Sequence, residues 1–446
     1  MASIVQRGKS FAVVYYQSGR QTWETYHTKE QAMARKNEVE HQQLTGTFVP
    51  PPIITVTDLM NRFIETYGKV KWGFSTYEAN VGLINNYILP SIGGLSLKSC
   101  TNKKMTNFFN NLREQKAVRR VGQKGESSLI SERCIYEIYG LLNMAFQLAV
   151  EWEDIKKHPM TKSMKPTSTR GTRETWDAKT AQKAISVCES LRLLVYIHLA
   201  LGCSMRIGEI SGLLWDKVIF DEENNFEDAQ IKIDTQLSRI NREAHETLKR
   251  KQGQIKMVFP EVYQGKNYKT LLVLKEPKTR ASIRTVYLPQ TTAQLLYQWK
   301  THQEGIKKAI GDEFQDYNLV MTLDNGRPIE SGIIGQELYE LIKKNNLPDV
   351  DFHSLRHTST SVKLVITGGD IKGVQGDNGH GTAQMTVDTY AEIFDNRRKE
   401  NAKKFDKAFF SPPALEDDSA KILESLVAKI LKVPGIKDKL IRILKS

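Results

Sequence analysis

The spacing of apolar and polar positions changes several times along this chain, and each change marks an element. From Ser10 to Thr28, SFAVVYYQSGRQTWETYHT alternates on both sides of Gln17-Ser18-Gly19-Arg20, which predicts a β-hairpin. Thr28 then precedes KEQAMARKNEVEHQQL, and Gln31 completes a capping-box pattern for a helix. Pro50-Pro51-Pro52 predicts an extended, semi-rigid linker. From Ile53 to about His158 the apolar residues recur three and four apart, in LMNRFIETY, STYEANVGLINNYI, MTNFFNNLREQ and SERCIYEIYGLLNMAFQLAVEW. A Pro-Gly-Gly turn lies between them in ILPSIGGLSLKSCT, and a basic stretch, Lys116 to Gly125, interrupts the helices. Lys156 to Trp176 is rich in Pro, Ser, Thr and cations without apolar periodicity, so it is expected to be a second linker.

Beyond that linker, residues 177 to 201 predict two helices. In LGCSMRIGEISGLLWDKV, Ile207, Ile210, Leu213 and Leu214 form an apolar stripe that Arg206 opens. AQIKIDTQL and TLLVLKEPKTRASIRTVYLP read as strands, separated by a long polar insert from Ser238 to Lys269. TTAQLLYQWKTHQEGIKKAI and GQELYELIKKNNL are helical. After Pro348, Leu355, Val362 and Val365 keep helical spacing up to a Gly368-Gly369 stop. Asn378-Gly379 gives another stop, and Val387, Tyr390, Ile393 and Phe394 space like a short helix. In the tail, Ile422, Leu423, Leu426, Val427, Ile430 and Leu431 share one helical face, which suits packing on its own domain or exchange with a neighbouring protomer.

Charge narrows the partner class. The 446 residues carry a formal charge of +13 with a pI near 9.3, which points to a polyanion, nucleic acid before membrane. The N-terminus lacks a signal-peptide core, and no apolar run reaches the roughly eighteen residues of a membrane span. A soluble, intracellular protein is expected. Cys100, Cys134, Cys188 and Cys203 show neither C-x-x-C nor zinc spacing and read as thiols in a reducing compartment.

The chemistry concentrates between Asp351 and Phe394. His353 and Arg356 lie three apart, on one face if the segment is helical, and an imidazole beside a guanidinium suits an anion. His380 follows the Asn378-Gly379 turn, and Tyr390 comes ten residues later. Taken singly, each has a structural explanation: a surface Arg206 paired with Glu209, a capping His380, a core Tyr390. Their order changes that. Arg206, Lys278, His353, Arg356, His380 and Tyr390 together resemble the active site of the tyrosine recombinases, the phage-integrase family, of the arm-domain type found in phages and integrative elements. The resemblance extends from the N-terminal module to about Lys407. It includes Tyr77, Ile88-Leu89-Pro90, Ile92-Gly93 and Leu95-x-Leu97, as in the family's core-binding domain. PKTRASIRTVYLP is similar to the hairpin that carries the family's lysine, which selects Lys278, with Lys275 the alternative. Asp377-Asn378 departs from the family, which more often has an apolar residue before Gly-His; altered local packing is expected there.

The resemblance implies a multidomain tyrosine recombinase fold. A small α+β arm-type DNA-binding domain would occupy 1–47, an all-α core-binding domain 53–158, and a mixed, mainly α catalytic domain with a small antiparallel sheet 172–407. A tail with an amphipathic helix would complete the chain at 408–446. It implies that Tyr390 attacks a scissile DNA phosphate and becomes joined to the 3′ end. Arg206 and Arg356 would hold the non-bridging oxygens, with Glu209 and Asp216 as supporting acids. Lys278 would protonate the departing 5′ hydroxyl, His353 would take or relay the tyrosine proton, and His380 would donate a hydrogen bond to the phosphate. Neither cofactor nor metal is expected, and no Walker loop or acidic metal motif is present in the sequence. The implied partners are double-stranded attachment sites of core and arm type, a homotetramer acting through a Holliday junction, an excision or directionality factor, and a host DNA-bending protein. The implied location is the bacterial cytoplasm, on DNA. A type IB topoisomerase-like enzyme and a catalytically inactive DNA-binding regulator are the alternatives.

Overall fold

The structure is a computed structural model that describes residues 2–7, 10–17, 20–45, 55–119, 126–167, 174–261, 269–379, 381–384, 387, 403–406, 424–429 and 432. Its backbone falls into two compact units. The first comprises Met1–Gly171, Arg239–Gln254 and Pro260–Leu271, and the second Thr172–Ser238, Ile255–Phe259 and Leu272–Ser446.

In the first unit the predicted hairpin forms between β2 (Ser10–Gln17) and β3 (Arg20–Tyr26), with Gln17 opposite Arg20. A further strand, β1 (Ser3–Arg7), pairs with β2 on its other side. The helix Lys29–Thr45 begins where Thr28 accepts the Gln31 amide at 3.3 Å, and buries Ala32 and Val39 against Val13 and Tyr15 of the sheet. The helical stretch follows. Val56–Phe63 opens with a capping box in which Thr55 and Asp58 satisfy each other's backbone amides. Phe74–Leu83, Asn102–Glu114 and Glu132–Glu151 come next, the last burying Ile135, Ile138, Leu142, Phe146 and Ala149 on one side.

Two segments add to the sequence reading. The stretch expected as a bare linker is partly packed: Met160 and Met164 are buried, and Trp176 lies in the core of the second unit with its indole N–H donating to the Pro348 carbonyl at 2.9 Å. The polar insert Ser238 to Lys269, to which the sequence assigns no role, carries a short helix, Arg242–Thr247, that packs with the first unit. There it meets the helix Phe74–Leu83, with the Phe74 and His245 rings 6.2 Å apart.

The second unit holds the helices Ala178–Ser186, Leu191–Gly202, Ile207–Ser211, Gln290–Ile310, Ser331–Lys344, Phe352–Ile366 and Ile371–Asn378. Val195, Tyr196, Ile197 and Leu199 form the centre of its core, and Phe352 meets the Tyr196 ring edge-on at 5.8 Å. The remaining strands of the chain are β4 (Val218–Ile219), β5 (Gln230–Ile233), β6 (Gln236–Asn241), β7 (Ile255–Val258), β8 (Thr270–Lys275) and β9 (Arg284–Tyr287). They make two antiparallel sheets, β4-β5-β9 and β6-β8-β7. This corrects two expectations. AQIKIDTQL is not one strand but breaks at Asp234-Thr235, where Thr235 turns inward to donate to the Gly212 carbonyl at 2.7 Å. Only glycine fits at 212, because a Cβ there would lie 2.4 Å from the Leu237 nitrogen. Likewise PKTRASIRTVYLP is not a hairpin: it leaves β8 in one sheet, makes the turn Arg280–Ser282, and enters β9 in the other.

Of the predicted tail helix, the described part, 424–429, is helical with Leu426 and Val427 half exposed. Among the described residues no helix is long and apolar enough to cross a membrane.

Candidate active site

The helix Phe352–Ile366 starts where Asp351 accepts the Ser354 amide at 2.7 Å. Phe352 and Leu355 anchor it in the core, and Arg356, one residue on, is drawn inside with only 3% of its surface exposed. His353, one turn earlier, remains at the surface, its ring 4.5 Å from that of His357. The predicted pair therefore shares a helix, with the cation inside and the imidazole outside.

Two backbone carbonyls hold the Arg356 fork. Nη1 donates to the Ser204 carbonyl and Nη2 to the Asn378 carbonyl. Ser204 adopts a left-handed conformation (φ 52°), which for a residue with a side chain costs on the order of 1 kcal/mol. Its hydroxyl is tied to that of Ser359 at 2.7 Å. Asn378 ends the helix Ile371–Asn378, and Gly379 follows in the left-handed region (φ 58°), where a Cβ would lie 2.8 Å from the Ala281 carbonyl. Asp377 and Asn378, where the sequence departs from the family, are both engaged here. The Asp377 carboxylate pairs with Lys363 at 2.7 Å, and the buried Asn378 amide donates to Thr360 at 2.9 Å.

Arg206 stands two residues after Ser204, at the start of the helix Ile207–Ser211. Its backbone amide and its Nη1 reach the two oxygens of Glu209, at 3.0 and 2.6 Å. Glu209 is almost wholly buried, whereas a third of the Arg206 side chain meets solvent. A third guanidinium completes the group. Arg284, at the start of β9, donates from Nη2 to Glu209 at 3.0 Å, from Nε to the Asp377 carbonyl at 2.7 Å and from Nη1 to the Ser282 carbonyl at 3.1 Å.

The electrostatics follow from that arrangement. Burial alone would raise the Glu209 carboxyl, but Arg284 and then Arg206 outweigh it and hold it below the usual range. Burial and the neighbouring Arg206 and Arg284 charges push Arg356 down, to about 9, so it is still a cation at neutral pH. Three guanidiniums around one carboxylate leave two positive charges in excess. That surplus, carried by forks fixed on set acceptors, is an arrangement that suits an anion.

The other predicted residues lie differently. Lys278 is exposed in the connection from β8 to β9. Lys275, at the end of β8, is half-buried, and burial and then the Lys278 charge lower its pKa. Asp216 is exposed and accepts the Asn318 amide at 3.0 Å. His380 and Tyr390 lie outside the described residues. Beside His353 is an open, largely apolar groove of about 370 Å³ lined by Ile207, Leu338, Tyr339, Val350 and Phe352. Among the described residues, no group of three His, Cys, Asp or Glu could hold a metal ion.

Arg284 is the member that sequence reasoning missed. The signal was its place in RTVY: it shares the inward side of β9 with Val286, and a strand rarely turns an arginine inward without a partner.

Comparison with known proteins gives this arrangement a family. Residues 265–397 match the model of the phage integrase family, and residues 55–113 that of the phage integrase N-terminal SAM-like domain. A XerC-like tyrosine recombinase of Caldanaerobacter subterraneus is 24% identical over 84% of this chain and 88% of its own length. The ICEBs1 integrase of Bacillus subtilis is 23% identical over 74% of this chain and 77% of its own. Among solved structures, the Tn1549 transposon integrase in complex with a circular intermediate DNA superposes with a TM-score of 0.57. It is 18% identical and covers 78% of this chain and 99% of that one, a likeness of fold: mostly helical, with small antiparallel sheets. Residues 265–397 thus carry the phage integrase domain, and the chain is a tyrosine-type site-specific recombinase.

Proposed function

We propose that this recombinase integrates and excises a mobile element by cutting and rejoining DNA through a 3′-phosphotyrosine, with the scissile phosphate held by Arg206 and Arg356. The observation that carries this reading is the buried Glu209 carboxylate paired with Arg206 and Arg284, with the buried Arg356 guanidinium nearby and Arg206 partly open to solvent. The Tyr390 hydroxyl forms the new bond to phosphorus and the bond to the 5′ oxygen breaks. The phenolic proton, bound with a pKa near 10 in a free tyrosine, passes to His353, and Lys278 supplies a proton to the leaving oxygen. Arg206 and Arg356 offset the charge that builds on the non-bridging oxygens, and His380 adds a hydrogen bond. Religation is the same sequence reversed, so bond energy is kept throughout. Lys275 competes with Lys278 for the acid's role. Its lowered pKa fits a proton donor, while the exposure of Lys278 fits a side chain that reaches out to the DNA.

The domains follow the same reading: arm-type module 1–47, core-binding domain 53–158, catalytic domain 172–407 and tail 408–446. Two duplexes recombined through a Holliday junction require four copies, with core and arm attachment sites as substrates and an excision factor and a DNA-bending protein as partners. The relatives support this by their own descriptions, one as the integrase of a transposon bound to DNA and one as the ICEBs1 integrase.

The test is covalent trapping on nicked suicide duplexes built from the DNA that flanks the gene, in EDTA. An SDS-stable adduct with wild type that disappears in Tyr390→Phe, with binding retained, is the expected outcome. An adduct that persists in Tyr390→Phe removes the assignment of the nucleophile. Binding without any adduct favours the inactive regulator.

A further inference from the structure

We infer that Arg284 is a positioning residue for strand cleavage: it fixes the buried Glu209 carboxylate, and through Glu209 it aims Arg206 at the scissile phosphate. This rests on the reading above, in which Arg206 contacts that phosphate.

The geometry is a chain of rigid contacts. Arg284 is held at its far end by two backbone carbonyls, Asp377 through Nε and Ser282 through Nη1, and its side chain is only 6% exposed. A backbone carbonyl neither titrates nor rotates away, so the remaining nitrogen, Nη2, has one direction to point. It meets Glu209 Oε2 at 3.0 Å. The same oxygen accepts the Arg206 backbone amide, and Oε1 accepts Arg206 Nη1 at 2.6 Å. Without Arg284, burial would favour a protonated Glu209, which would offer Arg206 a weaker and less directional acceptor. Arg206, one-third exposed, would then sample the rotamers open to a long side chain. The position is not interchangeable with lysine, since one ammonium has no planar fork to span a carboxylate and a strand carbonyl at once. Glu209 and Arg206 are three residues apart at one short helix, but Arg284 comes from the strand β9, so the aim of Arg206 depends on how β9 is seated.

The experiment is a double-mutant cycle on the full chain, with single-turnover adduct formation on suicide duplexes measured at saturating protein. Arg284→Met should lower the adduct rate by about 10- to 100-fold with DNA affinity within roughly twofold of wild type. Arg206→Ala should lower it by on the order of 100- to 1,000-fold. If Arg284 acts through Arg206, the double variant falls within about threefold of Arg206→Ala alone. Multiplied defects, or an Arg284→Met rate equal to wild type, overturn the inference. Should Arg284→Met lose its cooperative melting transition, Arg284→Lys replaces it in the cycle. A wild-type rate from that variant also overturns the role of the fork. Failure of the underlying reading looks different: wild type forms no adduct, or Tyr390→Phe still does, or Arg206→Ala matches wild type.

Discussion

Glu24 and Glu209 are both carboxylates withdrawn from water and gripped by arginine, yet their surroundings differ in a way that separates scaffold from site. Glu24, on β3, accepts from Arg35 at 2.8 and 3.2 Å, from Tyr26 at 2.6 Å and from Tyr15. Arg35 also pairs with Glu38 at 2.9 Å, so this cluster has two carboxylates for one guanidinium and no cation to offer. Around Glu209 the ratio is reversed. Arg206 and Arg284 both pair with it, Arg356 adds a third charge nearby, and Arg206 opens to solvent. The Glu24 cluster is closed; every donor in it is spent on a partner in its own module. The Glu209 cluster keeps a positive excess and an arginine open to solvent, and under the proposed function a phosphodiester in its more highly charged transition state would match that excess.

The largest effect should come from removing the surplus itself. Arg356→Ala is expected to lower adduct formation by about a thousandfold, since it deletes a preorganised donor. It also strands the Ser204 and Asn378 carbonyls, so a lower melting temperature should accompany it. Single-turnover trapping and thermal melting separate the two losses. If Arg356→Ala cleaves at the wild-type rate, the surplus has no role in the chemistry.

Matched substitutions sharpen the comparison next. Glu209→Gln should lower adduct formation by roughly 10- to 100-fold at saturating protein, because Arg206 loses its charged anchor. Glu24→Gln should leave that rate within about twofold. It should instead cost the N-terminal module on the order of 1–3 kcal/mol, toward the low end because both partners keep some exposure to water. Equal effects of the two substitutions on the cleavage rate would erase the distinction drawn between them.

Much of this was legible in the sequence, and the rest was hidden for identifiable reasons. The helix of His353 and Arg356, the Gly368-Gly369 stop and the Asn378-Gly379 turn follow from local spacing and from glycine's freedom at positive φ, and all three are present. The Thr28–Gln31 cap and the pairing of β2 with β3 were equally local. Arg284 was not, because its partners Glu209 and Asp377 lie 75 and 93 residues away. Trp176 reads as linker in the sequence for the same reason: its indole partner, Pro348, is 172 residues on. The break between β5 and β6 depends on Gly212 lying against Gln236 and Leu237, and a run of alternating residues gives no sign of such an approach. The order of the six motif residues was readable, but their depth was not; nothing in the spacing says that Arg356 is inside and His353 outside.

The smallest expected effect tests the closed cluster by pH. Burial would raise Glu24, but the Arg35, Tyr15 and Tyr26 hydrogen bonds outweigh it and lower its pKa. A lowered carboxyl contributes stability above its unfolded value, roughly 4.3, and loses it as the pH falls through the folded value. The tyrosines give the opposite limb. Burial and then the Glu24 bond raise both, Tyr26 to about 12, so their contribution is complete below about 10 and disappears as the pH rises toward the folded values. Amide-exchange protection factors over Lys29–Thr45, the helix that carries Arg35, should therefore peak across neutral pH and fall on both sides. In Glu24→Gln the acid limb should flatten and the plateau should drop, because Arg35 then lacks its buried charge at every pH. Protection that holds constant from pH 6 to pH 3 in wild type would mean that the cluster's charge does not support the module, and its resemblance to the Glu209 cluster would be one of geometry alone.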